Sequence, residues 1–496
     1  MVNHGVSRAC KECKARRKKC DETRPSCRRC LKAKRTCPGY QVGADLLFRH
    51  YRDSTSTRSS HQSSSRPFDP TGRWLLVSLP DGTDDAQLED HAVTAFLNDY
   101  CLVPENHLLS RGYLEGLETL LAQAGPSSDL AQATRVVALA SIGTKLSRSA
   151  LVHKARVMYS EMLHSLQVMI SNAAMPSTAE SLMTAVLLGM YEIITATETH
   201  PSNHGSHCAG VYAILSVKNS PFDMLNRFQI SRPLMPKEPQ KTLGILCAPM
   251  SHPSFQTLDA FIVKSWPLLT TAAALLSNAL TIVEDIQNAL KEARLLNEEC
   301  SRWPASQPEE WRPRTIAFIN PRQDRTAQGL GWLSGRVDAY LDLYVGAVWN
   351  TYRKVRLMIL DVIIRCSQRL EKKTGCHDLK VEACELASDM MASIPFHLSE
   401  NLATFVKHAE SDTALALVPG RSVGGLLLMH PLFVTANLSV VSPQRQDRMR
   451  ECLAWIGPNM GIGQATLLSK TSTTYPNESV ANGYTLMWAG MLFTSS

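Results

Sequence analysis

The chain has 496 residues, 44% of them hydrophobic and 20% charged, which excludes a wholly disordered polymer and points to more than one domain. Its formal charge of +7 is unevenly spread: residues 1–52 hold 15 Lys/Arg against 4 Asp/Glu, so the rest of the chain is net acidic. A basic head on a slightly acidic body directs a polyanionic partner to the head alone.

No apolar segment precedes Cys10, so no secretory leader is expected. The most apolar stretch, Leu268–Val283, is shorter than the roughly 20 residues of a membrane span and reads as a buried helix. No membrane partner is expected. Without export the compartment is reducing, and closely spaced cysteines read as metal ligands before disulfides.

Six of the fourteen cysteines fall within 28 residues, as Cys10-x2-Cys13-x6-Cys20-x6-Cys27-x2-Cys30-x6-Cys37. This is one half, C-x2-C-x6-C, written twice. Each half offers three thiolates, one short of a tetrahedral zinc shell. If two thiolates bridge, six cysteines satisfy two Zn2+ ions. A disulfide framework would need an oxidising compartment. An iron–sulfur site would use four thiolates and leave the duplication unexplained.

Five of the six residues between Cys13 and Cys20 are cationic: Lys14, Arg16, Arg17, Lys18 and Lys19. The second half adds Arg28, Arg29, Lys32, Lys34 and Arg35. Such side chains neutralise phosphates and make binding salt-dependent. Reading sequence takes a further contact, from the tip of an element in the major groove to base edges. The same basic runs also suit nuclear import.

The run Cys10-Lys-Glu-Cys13-Lys14-Ala-Arg16-Arg17-Lys18-Lys19-Cys20-Asp21, followed by Arg24-Pro25-Ser-Cys27, resembles the fungal Zn(2)-Cys(6) binuclear cluster family. All six cysteines match, as do the basic run and the loop proline, while Lys14 stands where the family usually has arginine. The resemblance implies that Cys10 and Cys27 bridge the two Zn2+ ions. It also implies that Arg16 and Arg17, at the end of a first short helix, read double-stranded DNA with CGG-type triplets.

A Ser/Thr-rich stretch from Asp53 to Ser65 has no apolar residue and reads as part of a flexible linker, residues 46–84. Residues 38–84 lack apolar heptads, so dimerisation has no coiled coil to rest on. From residue 85 to 470, apolar residues recur at helical spacing in windows 85–101, 129–146, 150–172, 178–197 and 334–370. In one of them Ala179, Leu182, Val186, Met190 and Ile193 make an apolar stripe, with a capping-box pair, Ser177 and Glu180, at its start. Loops are expected around 199–206, 219–256 and 303–333, strand alternation is scarce, and residues 471–496 read as a C-terminal tail. Leu182–Glu192, His204–Gly210, His430–Val434 and Ile456–Gly461 look like landmarks of the fungal-specific transcription factor domain, a helical regulatory region.

Catalytic constellations are missing: there is no G-x-S-x-G, no phosphate loop and no H-E-x-x-H. His200, His204 and His207 lie near Cys208 but read as an interhelical loop, and Cys376 reads as a helix start. No sequence feature locates a small-molecule pocket. The expected architecture is mainly α: a two-zinc DNA-binding unit (1–45), the linker and a large all-α regulatory domain. The expected function is a nuclear, non-enzymatic regulator of RNA polymerase II transcription, contacting the transcription machinery. A pathway-specific activator of a secondary-metabolite gene cluster is preferred over a regulator of nutrient catabolism or a repressor. A zinc-containing enzyme or scaffold ranks last.

Overall fold

Helical spacing becomes helix along most of the body in the computed structural model. It describes residues 13, 16, 20, 21, 27–33, 35, 37, 85–107, 109–171, 179–215, 253–278, 282–320, 333–371, 376–410, 417–472, 486, 487 and 489–491. The chain divides into two compact units, Met1–Pro67 and Phe68–Ser496. The break falls within the span read as a linker, which itself lies outside the described residues, as does Ser177. The first unit includes a short helix, α1 (Arg28–Lys32).

The second unit begins with α2 (Asp85–Tyr100), α3 (Leu117–Ala124), α4 (Asp129–Lys145), α5 (Ser149–Ser171), α6 (Ala179–Thr195) and α7 (His204–Leu215). Helix α4 starts where sequence chemistry asks for it: Ser128 Oγ accepts the Ala131 N–H at 3.1 Å, and Asp129 sits in the first turn. It packs against α2, α5 and α6. At Gly143 a Cβ would lie 2.7 Å from Val152 Cγ2, so glycine sets the close approach of α4 to α5. In α6 Leu182, Val186, Met190 and Ile193 of the expected stripe are buried and Ala179 is half-buried, but Met183, Leu187 and Leu188 are buried too. This helix is enclosed on nearly every side rather than amphipathic.

The chain continues through α8 (Pro253–Ser277) and α9 (Val283–Ser301), then β1 (Arg314–Ile319) and β2 (Gly335–Ala339). The long helix α10 (Leu343–Arg369) follows, then α11 (Cys376–Ala392), α12 (Ile394–Leu398), α13 (Leu402–Glu410), α14 (Ser422–Ala436), α15 (Pro443–Met460) and α16 (Gly463–Lys470). Helix α10 is the axis of this half. Asp342 Oδ1 caps it by accepting the Val345 N–H at 2.9 Å, and it is touched by α8, α9, α11 and α14. Several of its buried charges find partners on other elements. Asp361, for example, accepts from Ser439 Oγ at 2.6 Å and Val440 N at 3.0 Å.

One carboxylate ties the two halves together. Asp99, at the end of α2, accepts the N–H and hydroxyl of Ser422 at 2.8 and 2.7 Å and pairs with Lys145 at 2.9 Å. One continuous apolar core runs through all of this and includes Leu486, Met487, Ala489 and Met491. Packing thus extends beyond residue 470 into the segment read as a tail.

Local expectations are also corrected. The span 303–333 is not wholly loop, because β1 pairs antiparallel with β2, Arg314 opposite Ala339 and Ile319 opposite Gly335. The alternation in β1 is weak because most of its residues are exposed or half-buried. The window 334–370 contains a strand before its helix. The apolar stretch 268–283 is not one helix: α8 ends at Ser277 and α9 begins at Val283. His204 and His207 belong to the first turn of α7 rather than to a loop.

Candidate zinc cluster and nucleic-acid interface

The cysteine unit holds itself together with sulfur. Cys13, Cys27 and Cys30 are buried, and the small core they form, among the described residues, is packed only by Cys20 and Cys37. With no aliphatic side chain in that core, burial alone cannot stabilise the unit. A metal bound to the thiolates must supply the missing free energy.

Two triads of sulfurs converge. The Sγ atoms of Cys13, Cys20 and Cys27 lie within 4.8 Å of one another, and so do those of Cys27, Cys30 and Cys37. Cys27 belongs to both. Its sulfur is 3.7 Å from that of Cys13, far beyond the roughly 2.05 Å of a disulfide. That distance is close to the edge of about 3.8 Å of a tetrahedron with metal–sulfur bonds of about 2.3 Å. The donor set is all thiol, as a structural zinc site requires. The residues fit the metal. Cys10, the sixth cysteine, lies outside the described residues.

Local backbone structure aims these sulfurs. Cys27 is the N-cap of α1, and its Sγ accepts the Cys30 N–H at 3.3 Å. Cys37 Sγ accepts the Cys27 N–H at 3.5 Å, so the last cysteine folds back onto the fourth. Such N–H donors fix where each sulfur points, so that it faces the other ligands. The halves are joined by Asp21, whose Oδ2 accepts the Arg28 N–H at 3.1 Å. Sequence reasoning did not single out Asp21. The only signal for it is an acid directly after the third cysteine.

Around this sulfur core the charge is outward. Arg16, Arg28, Arg29, Lys32 and Arg35 are exposed. Of the residues expected to contact DNA, Arg16 is described, while Lys14, Arg17, Lys18 and Lys19 lie outside the described residues. A buried metal-dependent core with an exposed cationic shell can dock on a phosphate backbone without melting.

The histidine cluster of the body is built differently. His207 Nε2 lies 2.7 Å from the Tyr159 hydroxyl and His204 Nδ1 lies 2.5 Å from Ser202 Oγ. Among the described residues, the two cysteine triads are the groups of three or more ligand atoms close enough to share a metal.

Comparison with known proteins agrees with this geometry. Residues 8–44 match the family model of the fungal Zn(2)-Cys(6) binuclear cluster domain. The chain is 39% identical to "Transcription factor dbaG" of Emericella nidulans over 415 residues, which cover 83% of this chain and 98% of that protein. No solved structure matches. The cluster domain binds two zinc ions and DNA, and the chain is a transcriptional regulator rather than an enzyme. The chain belongs to the fungal Zn(2)-Cys(6) binuclear cluster transcription factors.

Proposed function

We propose that this chain is a pathway-specific activator of a fungal secondary-metabolite gene cluster, acting in the nucleus. In this reading Cys10, Cys13, Cys20, Cys27, Cys30 and Cys37 hold the two ions, with Cys10 and Cys27 shared between them. The observation that carries the metal assignment is the membership of Cys27 in both sulfur triads. When bound, the ions supply cross-links between the two halves.

Arg16 and Arg17 read base edges, and Lys14, Lys18 and Lys19 hold the neighbouring phosphates. Arginine at the tip suits the paired acceptors O6 and N7 of guanine, hence CGG-type triplets. Residues 46–84 tether this unit to the regulatory body from residue 85 onward, which carries the landmarks of the fungal-specific transcription factor domain and contacts the transcription machinery. The pathway assignment rests on layout: an N-terminal cluster, a linker and a helical body of this size are commonly deployed on biosynthetic gene clusters.

Genome-wide occupancy mapping joined to transcript profiling of a deletion strain tests the reading. Discrete sites beside one set of clustered biosynthetic genes, lost with Cys13→Ser and accompanied by lower transcripts in the deletion, are expected. Sites spread over catabolic genes, or transcripts that rise on deletion, would overturn it.

A further inference from the structure

Between the end of α4, the first turns of α5 and the end of α6 lies a cavity of about 490 Å³. Ligand pockets run from about 300 to 1,000 Å³, so it is large enough for a small organic molecule. Its chemistry is two-sided. Gly143, Val152, Ile194 and Ala196 give it an apolar floor, while Ser149, Thr195 and Thr197 offer hydroxyls. Arg156 and His153 complete the wall, and among the described residues that line it none is acidic.

Arg156 is the decisive group. Its side chain is exposed at the cavity, where it interacts with the phenol of Tyr191, and no carboxylate among the described residues pairs with it. The first turn of α5, a helix of 23 residues, opens on the same space at Ser149. The N–H groups of a helix's first turn add partial positive charge on the same side as the guanidinium. A cation in a wall without acidic residues, over an apolar floor, complements a molecule with an anionic head and a hydrocarbon body.

We propose that this cavity binds a small carboxylic acid with an apolar body, its carboxylate on Arg156 and its hydrocarbon against Val152, Ile194 and Ala196. The site is placed to be felt by the rest of the fold. Tyr191 stacks on Tyr159 with ring centroids 4.1 Å apart, and the Tyr159 hydroxyl donates to Glu192 at 2.6 Å and meets His207 of α7 at 2.7 Å. On the other side, the backbone carbonyls of Ile194 and Ala196 abut Gly463, the first residue of α16. A ligand seated at Arg156 therefore touches the elements that fix α7 and α16.

Equilibrium dialysis of the full chain with radiolabelled octanoate, octanol or octylammonium as the probe tests the site without DNA. Octanoate is expected to bind saturably at one site per chain, and octylammonium at least about tenfold more weakly. Arg156→Ala should weaken octanoate binding by about tenfold or more while Arg156→Lys retains most of it. Because Arg156 is exposed, unchanged tryptophan fluorescence should show that both variants fold. Absence of saturable octanoate binding would overturn the proposal, as would equal binding of octylammonium or binding indifferent to Arg156→Ala. None of these outcomes bears on recognition of DNA by the cysteine unit.

Discussion

The Oδ2 atom of Asp21 accepts the backbone N–H of Arg28 at 3.1 Å, joining the end of the first cysteine half to the first turn of α1 in the second. The contact is exposed, so its worth is that of a cap, about 1 kcal/mol. Asp21→Ala should let zinc go at a several-fold lower concentration of a competing chelator, followed by absorbance of the chelator complex. Asp21→Asn keeps an acceptor and removes a negative charge that would face phosphate. It should hold zinc nearly as well as the parent and bind non-specific DNA slightly more tightly. Identical zinc retention in Asp21→Ala and the parent would remove the linking role.

Because Cys27 lies in both triads and Cys37 in one, the two cysteines should not be equivalent. Native mass spectrometry of Cys27→Ser should find both metal positions lost, whereas Cys37→Ser should retain one ion in part of the population. Equal loss in the two variants would count against a shared thiolate at Cys27.

Removal of both ions should separate the two units. All eight tryptophans follow residue 67, so tryptophan fluorescence reports on the helical unit alone. A strong chelator should abolish binding to DNA and leave the urea transition of tryptophan fluorescence in place, because that unit has its own apolar core. A fluorescence transition that moves with the metal would mean that the two units share their stability.

The cysteine unit was legible in the sequence because metal ligation imposes fixed spacings, and little besides a two-metal cluster calls for a duplicated C-x2-C-x6-C. The helices of the body were legible where one face is apolar, as in α2 with Ala92, Ala95, Phe96 and Tyr100 buried, and became ambiguous where burial is complete. Helix α14 is buried along its whole length, and such a run carries no period to read. Strand β1 escaped notice because a two-stranded ribbon with Phe318 in solvent lacks alternation. The Arg156 cavity was invisible for another reason. Its residues come from three helices and two loops, and the packing of α4 against α5 and α6 brings them together.

Two glycines make contrasting tests of that packing. A Cβ on Gly189 of α6 would collide with the tip of Leu486, a side-chain end that can rotate away. A Cβ on Gly424 of α14 would collide with the backbone carbonyl of His397, which cannot. Gly189→Ala should cost about 1–2 kcal/mol and be largely relieved by adding Leu486→Ala. Gly424→Ala should cost about 3 kcal/mol or more, with no comparable rescue. Leu486→Ala alone, at a site with 0% exposure, should cost about 2–5 kcal/mol. Urea midpoints by tryptophan fluorescence measure all of these. A neutral Leu486→Ala would place the C-terminal segment outside the core.

Buried histidines give the body a specific response to acid. Burial pushes His207 down to about 4 from an ordinary 6.5, against the opposing pull of Glu192, and burial with the nearby Arg353 charge pushes His397 down to about 3. A depressed histidine is neutral in the folded chain while its unfolded counterpart takes up a proton below pH 6.5. Its contribution is therefore fully present above that pH. It is lost as the pH falls toward the folded value, by up to about 1.4 kcal/mol per pH unit for each histidine. The stability of the helical unit should fall steeply between about pH 6.5 and pH 5. In His207→Gln the side-chain amide can still meet the Tyr159 hydroxyl but cannot titrate, so the slope should drop by about one proton. Urea unfolding of both chains at several pH values in that window measures the slope directly. Parallel pH dependences would show that His207 carries its proton equally in both states and that burial does not hold it neutral.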